Sequence, residues 1–311
     1  MEVILNAILV VVGLVMLCFG GSWLVNGGVR IAKKLRISNL IIGMTIIAYG
    51  TSAPELAASV AAASEHGGIV VGNIVGSNIA NIGMVIGITA IMIPLSVSRT
   101  TLRRDIPLML GVSFLLIALS LDGSLSHYDG LILLASLFGF AIFTYQDAKK
   151  NRLKESENVE NTKFQIYPKT IGLIFIGILF LGIGAYLTVD NSVVLAQELG
   201  LSEKLIGLTV IAIGTSLPEL FTSVIAIRKG HMEIGIGNII GSNIYNILMI
   251  MGIGTSLGTI LISHDVFIDY AVMIGFSVSL LIALRRGFIS RRMGLILTST
   301  YAVYLGVLFL I

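Results

Sequence analysis

Apolar residues run in blocks along nearly the whole 311-residue chain, and polar residues gather in the short gaps between blocks. A bilayer core of about 30 Å takes ~20 helical residues per crossing, so each block predicts a membrane-spanning helix. Ten spans are expected, over residues 3–27, 38–64, 69–95, 105–121, 128–147, 169–190, 203–227, 234–260, 266–284 and 293–311. The longest polar stretch, 149–168, contains KKNRLKESENVENTK and predicts a solvated linker. It divides the chain into two five-span halves, 1–148 and 169–311. The expected fold class is an all-α polytopic membrane protein.

Composition agrees with this reading. Hydrophobic residues make up 56% and charged residues only 12%, about half the ~25% of a soluble domain. With the N-terminus placed outside, nineteen of the twenty Lys and Arg residues fall in loops on the inner side, and Lys204 alone falls outside. Positive residues favour the cytoplasmic side. The expectation is a multi-pass cell-membrane protein with both termini outside and a cytoplasmic linker. The N-terminal apolar block lacks a basic leader and reads as a retained span, not a cleaved signal. Cys18 stands alone and forms no intramolecular disulfide. The basic loops suit an anionic leaflet, and no aromatic-interleaved basic patch suggests nucleic acid.

An internal repeat organises the spans. Residues 43–56 read GMTIIAYGTSAPEL and residues 207–220 read GLTVIAIGTSLPEL, ten identical positions in fourteen. Residues 72–82 read GNIVGSNIANI and residues 237–247 read GNIIGSNIYNI, nine in eleven. Five spans per unit is an odd number, so the second unit enters the membrane from the opposite side. Inverted repeats of this kind build many secondary transporters, with the substrate site at the repeat interface near the midplane. Duplication kept only for packing is the plainer alternative, but the best-matched positions are polar and lie within spans.

Those positions carry the chemistry. Pro54 has no N–H for the carbonyl of Gly50, and Pro218 repeats this against Gly214. Carbonyls freed inside a bilayer must face protein, water or a ligand. Glu55 and Glu219 follow the prolines at once and are the two acids placed deep in spans, with no Lys or Arg at their depth. Intramembrane carboxylates are costly and usually functional. Thr51, Ser52, Thr215 and Ser216 add four hydroxyls. Ser77 and Asn81, and likewise Ser242 and Asn246, are spaced i, i+4 and share a helix side. Hydrogen bonding between helices without ion contact is the alternative for these pairs, and the preferred role for Asn73, Asn78, Asn238 and Asn243. Gly72 with Gly76, and Gly237 with Gly241, form GxxxG faces for close helix packing.

The ligand set is all oxygen, which suits hard cations such as Ca2+ and Na+. His66, His127, His231 and His264 fall in loops or at span ends, so a Zn2+, Fe or Cu site is not expected. No cofactor is expected. Two carboxylates balance one Ca2+ or two Na+, with neutral protonated carboxyls as the alternative. An empty, doubly charged site is costly to move past a dry barrier, at several kcal/mol per buried ion. Only loaded forms would then switch access, which is obligatory antiport by a chain expected to work as a monomer.

The paired GTSxPE and GNxxGSN segments resemble the cation/Ca2+ exchanger superfamily, and specifically its sodium/calcium exchanger branch. The resemblance covers nearly the whole chain. It implies a ten-helix bundle with spans 2, 3, 7 and 8 around the ion site, and Na+ and Ca2+ as transported ions. By the family pattern, Glu55 and Glu219 match shared Ca2+ and Na+ ligands. Thr51 and Thr215 match carbonyl donors, with Ala48 and Ala212 doing so at flanking Na+ sites. Ser52, Ser77, Ser216 and Ser242 match side-chain Na+ ligands, and Asn81 a site-lining amide. Many members of the family carry Asp where this chain has Asn246, and the potassium-dependent branch uses an acid there. Asn246 therefore implies no K+ requirement. The H+/Ca2+ branch places a Glu in the GN-containing segments, which hold no acid here. A passive channel and an intramembrane enzyme are the more distant readings.

Overall fold

The computed structural model describes residues 2–62, 67–155, 168–198, 212–284 and 287–308. The chain starts with α1 (Glu2–Leu35), a 34-residue helix without proline. Arg36 turns into the left-handed region at φ 54°, and the Ile37 N–H closes the helix end on the Ala32 carbonyl at 3.1 Å. Ser38 then caps the next helix by accepting from the Ile41 N–H, at 3.3 Å. This tight turn sets the second span against the first.

The second span is interrupted. It consists of α2 (Asn39–Ile42), a π-helical turn over Gly43–Ile47, α3 (Ala48–Thr51) and α4 (Ala53–Ala62). The third consists of α5 (Gly67–Ala80), a π-helical turn over Asn81–Ile86, and α6 (Gly87–Met92). After β1 (Leu95–Ser96), a π-helical turn over Thr101–Asp105 leads into α7 (Ile106–Leu119). Next come β2 (Ser124–Leu125) and α8 (His127–Glu155), whose helix runs on past the start of the polar 149–168 stretch. Residues 156–167 of that stretch lie outside the described residues.

The second half repeats the plan. α9 (Pro168–Glu198) answers α1, while most of the predicted start of the seventh span, to residue 211, lies outside the described residues. α10 (Ala212–Thr215) and α11 (Leu217–Arg228) answer α3 and α4. α12 (Met232–Tyr245), a π-helical turn over Asn246–Met251 and α13 (Gly252–Leu257) answer the third span. Then follow β3 (Ile260–Leu261), α14 (Val266–Leu284), β4 (Phe288–Ile289) and α15 (Arg291–Leu308). Five described helices are long and apolar enough to cross a membrane. Two of them, Val70–Met92 and Met232–Leu257, run through the buried centre, while Val3–Leu35, His127–Lys149 and Pro168–Leu195 face mostly outward. Outward-facing Val3, Ile8, Val11, Phe19, Phe138 and Phe175 are apolar, as lipid contact requires.

Pseudo-two-fold symmetry appears in the contacts. A Cβ on Gly13 would meet the Gly184 carbonyl oxygen at 2.7 Å, and one on Gly177 the Gly20 carbonyl oxygen at 3.0 Å. Shifting Gly13 and Gly20 by 164 residues yields Gly177 and Gly184, so the α1–α9 crossing maps onto itself. Small residues there let the two backbones touch. The short strands behave alike. β1 pairs antiparallel with β4, with Leu95 opposite Ile289, and β2 pairs with β3, with Leu125 opposite Ile260. Each pair joins two loops that the span order puts on one face of the membrane.

Candidate functional site

The site forms where the interrupted spans meet the central pair. α3 stops at Thr51, Ser52 leaves helical geometry at φ −84°, ψ 2°, and α4 restarts at Ala53 with Pro54 in its first turn. The second copy does the same, with Ser216 at φ −90°, ψ 4° and Pro218 in the first turn of α11. Proline at the start of a helix wastes no N–H, so each break ends in a well-formed helix whose first turn carries Glu55 or Glu219. Both carboxyl groups are buried, and they lie close enough to act on each other electrostatically.

Ser52, Ser77, Ser216, Ser242, Asn81, Asn246, Thr51 and Ala48 are buried as well. Thr215 is half-buried, and Ala212 opens α10, its side chain lying outside the described set. The Ser52 hydroxyl donates to Glu219 Oε1 at 3.1 Å, and the Ser242 hydroxyl donates to the same oxygen at 3.3 Å. The Thr51 hydroxyl lies 3.2 Å from the Ala48 carbonyl and 3.1 Å from Asn238 Oδ1. The Ala48 carbonyl also accepts from the Ser52 N–H at 3.0 Å. The Thr51 hydroxyl has one hydrogen for its two acceptors, so the Ser52 N–H is the only full-time partner of the Ala48 carbonyl among these bonds.

Nine buried side-chain polar atoms among the described residues have no hydrogen-bond partner, and all nine are oxygens. Six belong to this constellation: both oxygens of Glu55, Oε2 of Glu219, Oδ1 of Asn81, Oδ1 of Asn246 and Oγ of Ser216. An unsatisfied buried polar atom costs ~1–3 kcal/mol, and carboxylate and amide oxygens of this kind are the ligands that hard cations prefer. Among the described residues no group of three or more His, Cys, Asp or Glu side chains is arranged to hold a metal. The donor set is therefore two carboxylates with neutral oxygens.

Asn73, Asn78, Asn238 and Asn243, expected to bond between helices, do so, and buried Ser59, Ser223 and Asp105 are residues that sequence patterns did not single out. Asn73 donates to Ser59 at 3.1 Å and Asn238 to Ser223 at 3.0 Å, matching bonds that tie each central helix to an interrupted one. Asn78 and Asn243 sit directly behind Asn81 and Asn246. Asp105, at the edge of the fourth span, is fully buried and ion-paired with Arg104 at 2.7 Å. Gly237 and Gly241 pack against Leu40 and Met44 as the GxxxG pattern predicts. Among the described residues nothing lies within 4 Å of a Cβ built on Gly72 or Gly76, so the close packing expected of that first GxxxG face is not seen there.

An about 800 Å3 cavity opens on one side of the site. Ala53, Pro54, Ala57, Tyr186, Asp190 and Thr215 are among its lining residues.

Two repeated helical units around a buried, oxygen-lined centre define a multi-pass membrane transporter. The family model described as "Sodium/calcium exchanger protein" matches the chain twice, over residues 5–146 and 169–310. The chain belongs to the sodium/calcium exchanger family, a family of transporters and not of enzymes. It is 33% identical to Sodium/calcium exchanger MaX1 of Methanosarcina acetivorans, over 98% of this chain and 99% of that protein. It is 35% identical to Inner membrane protein YrbG of Escherichia coli, over 98% and 97%. Among solved structures it matches the sodium-calcium exchanger NCX_Mj soaked with 10 mM Na+ and 10 mM Sr2+, with a TM-score of 0.85, 31% identity and 98% of both chains covered. The same protein soaked with zero Na+ and Ca2+ gives a TM-score of 0.83 at 32% identity, covering 98% of this chain and 99% of that one.

Proposed function

We propose that this chain exchanges Na+ for Ca2+ across the cell membrane by alternating access, as a single chain and without K+. The observation that carries the proposal is the set of six unpartnered buried oxygens around Glu55 and Glu219. Thr51, Ser52, Ser77, Ser216, Ser242, Asn81, Asn246 and the carbonyls of Thr215, Ala48 and Ala212 complete the ligand set in this reading. Two negative charges match one Ca2+ or two Na+, so either load neutralises the site and an empty site pays for two desolvated charges. That difference makes transport an exchange. Asn246 supplies no third charge, which supports K+ independence.

Broken symmetry at the site supports alternating access. Ser52 reaches Glu219, yet its repeat mates Ser216 and Glu55 hold unpartnered oxygens. The cavity passes Pro54, next to Glu55 in the chain. With the termini outside, as the positive loops suggest, it opens outward. On the opposite side Leu217 and Phe221 stand where Ala53 and Ala57 stand in the first repeat, and they pack into a core with Leu17 and Leu24. The other access state would exchange these roles.

The test is 45Ca2+ uptake into proteoliposomes under an outward Na+, K+ or H+ gradient, one at a time. Uptake driven by Na+ and unchanged by K+ is expected. Uptake driven by H+ alone would replace this reading with H+/Ca2+ antiport, and uptake without any counter-ion gradient would replace it with a channel.

A further inference from the structure

We infer that Asn78 and Asn243 are positioning residues that aim the amide oxygens of Asn81 and Asn246 at the transported cation. This rests on the cation site proposed above and says how that site is kept lined with oxygen. A carboxamide has a donor end and an acceptor end of nearly equal size. Turned one way it binds a cation, and turned the other way it repels one. Something must hold the turn.

Two acceptor-only atoms do so. The Asn243 backbone carbonyl can only accept, and the Asn78 amide approaches it at 3.3 Å, so that end of Asn78 is the NH2 group. Its Oδ1 then faces Asn246 and accepts from Asn246 Nδ2 at 3.1 Å. The Asn246 oxygen is left pointing away from Asn78, and it is one of the unpartnered atoms. The second chain starts from Met109, whose sulfur only accepts. Asn243 Nδ2 donates to it at 3.5 Å, and Asn243 Oδ1 accepts from Asn81 Nδ2 at 2.9 Å. The Asn81 oxygen is again unpartnered. Met273, the repeat mate of Met109, lies 3.8 Å from Asn78 Nδ2. The same relay therefore occurs twice, and all four asparagines are buried.

The relay also bears on the charge at position 246. A carboxylate there would set oxygen against Asn78 Oδ1, where a donor is required. Asn78 thus favours a neutral ligand at 246 and keeps the charge of the centre at two carboxylates.

The experiment is a pair of double-mutant cycles read as KM and kcat of Na+-driven 45Ca2+ uptake in proteoliposomes. Asn78→Leu should raise the Ca2+ KM about tenfold, or ~1.4 kcal/mol, as one aimed amide oxygen is lost to the cation. Its kcat should stay within about twofold, because the loss falls on uniform binding. In an Asn246→Ala background, Asn78→Leu should add nothing, since the residue it positions is gone. Met109→Leu keeps core volume and removes the acceptor behind Asn243. It should raise KM severalfold, and not at all in an Asn81→Ala background. If Asn78→Leu fails to fold, the Met109 cycle decides. KM values equal to wild type, or effects that multiply within a pair, overturn the inference while leaving the exchanger reading standing. A folded wild type that shows no Na+-driven uptake would overturn that reading and this inference with it.

Discussion

Glu55 and Glu219 hold the same place in two copies of one motif, yet their surroundings differ. Glu219 Oε1 receives two hydroxyls, whereas neither oxygen of Glu55 has a partner. A buried carboxyl without a donor is stable as the neutral acid or with a cation beside it. Replacing either acid by Gln keeps shape and removes half the charge. Glu55→Gln and Glu219→Gln are each expected to weaken Ca2+ binding at least a hundredfold, or ~3 kcal/mol, by calorimetric titration of purified protein. Affinity within twofold of wild type in either variant would contradict the ligand role. The identity of these residues was legible in the sequence, because a carboxylate after proline inside an apolar span has few other uses. Their hydrogen-bond partners were not legible. Asn78 reads as a helix-packing residue from spacing alone, and its second role depends on which end of its amide meets the Asn243 carbonyl.

At the scale of elements, repeat offsets predicted which segments match, and the structure shows what that matching builds. The α1–α9 crossing depends on Gly13, Gly20, Gly177 and Gly184, where a side chain would strike backbone. Gly182, two residues from Gly184, borders the cavity and has open space beside it. Gly13→Val is expected to lower the melting temperature by about 5 °C or more, from an overpacking cost of ~1–3 kcal/mol. Gly182→Ala should leave it nearly unchanged. Equal effects in a thermal-shift measurement would refute the packing account. The π-helical turns were beyond the reach of pattern reading. Each of the central two begins at the asparagine already singled out, Asn81 or Asn246. Such turns often mark functional positions, but an apolar run has no period that distinguishes them from ordinary helix. Helix α8 runs beyond its apolar block because Lys, Arg and Glu are good helix formers, which hydropathy does not register.

For the whole molecule, alternating access requires that one side close while the other opens. Lys229, in the turn after α11, donates to Ser22 Oγ at 2.7 Å and Asn26 Oδ1 at 3.0 Å, tying that turn to α1. Burial lowers the Lys229 pKa from 10.5, so the charged form is disfavoured in the folded chain. That cost to stability is present below the folded pKa and fades as pH rises toward 10.5. Lys229→Ala is expected to loosen closure on this side. In a Cys18→Ser background, a cysteine placed at Thr222 should then react severalfold faster with an impermeant thiol reagent supplied from the Lys229 side. Unchanged reactivity would show that the tie does not hold this side shut. Composition marked the chain as a multi-pass membrane protein, and its charge distribution set the expected orientation. The difference between the two sides became visible only once Leu217 and Phe221 were seen packed where the first repeat has alanines.

The central claim is that cations occupy the space between Glu55, Glu219, Asn81 and Asn246. Anomalous diffraction from crystals soaked in Sr2+, with and without excess Na+, tests it most directly. The account predicts one strong peak among those four side chains, weakened or lost as Na+ rises. A peak elsewhere, or one between the two glutamates that Na+ cannot displace, would contradict it.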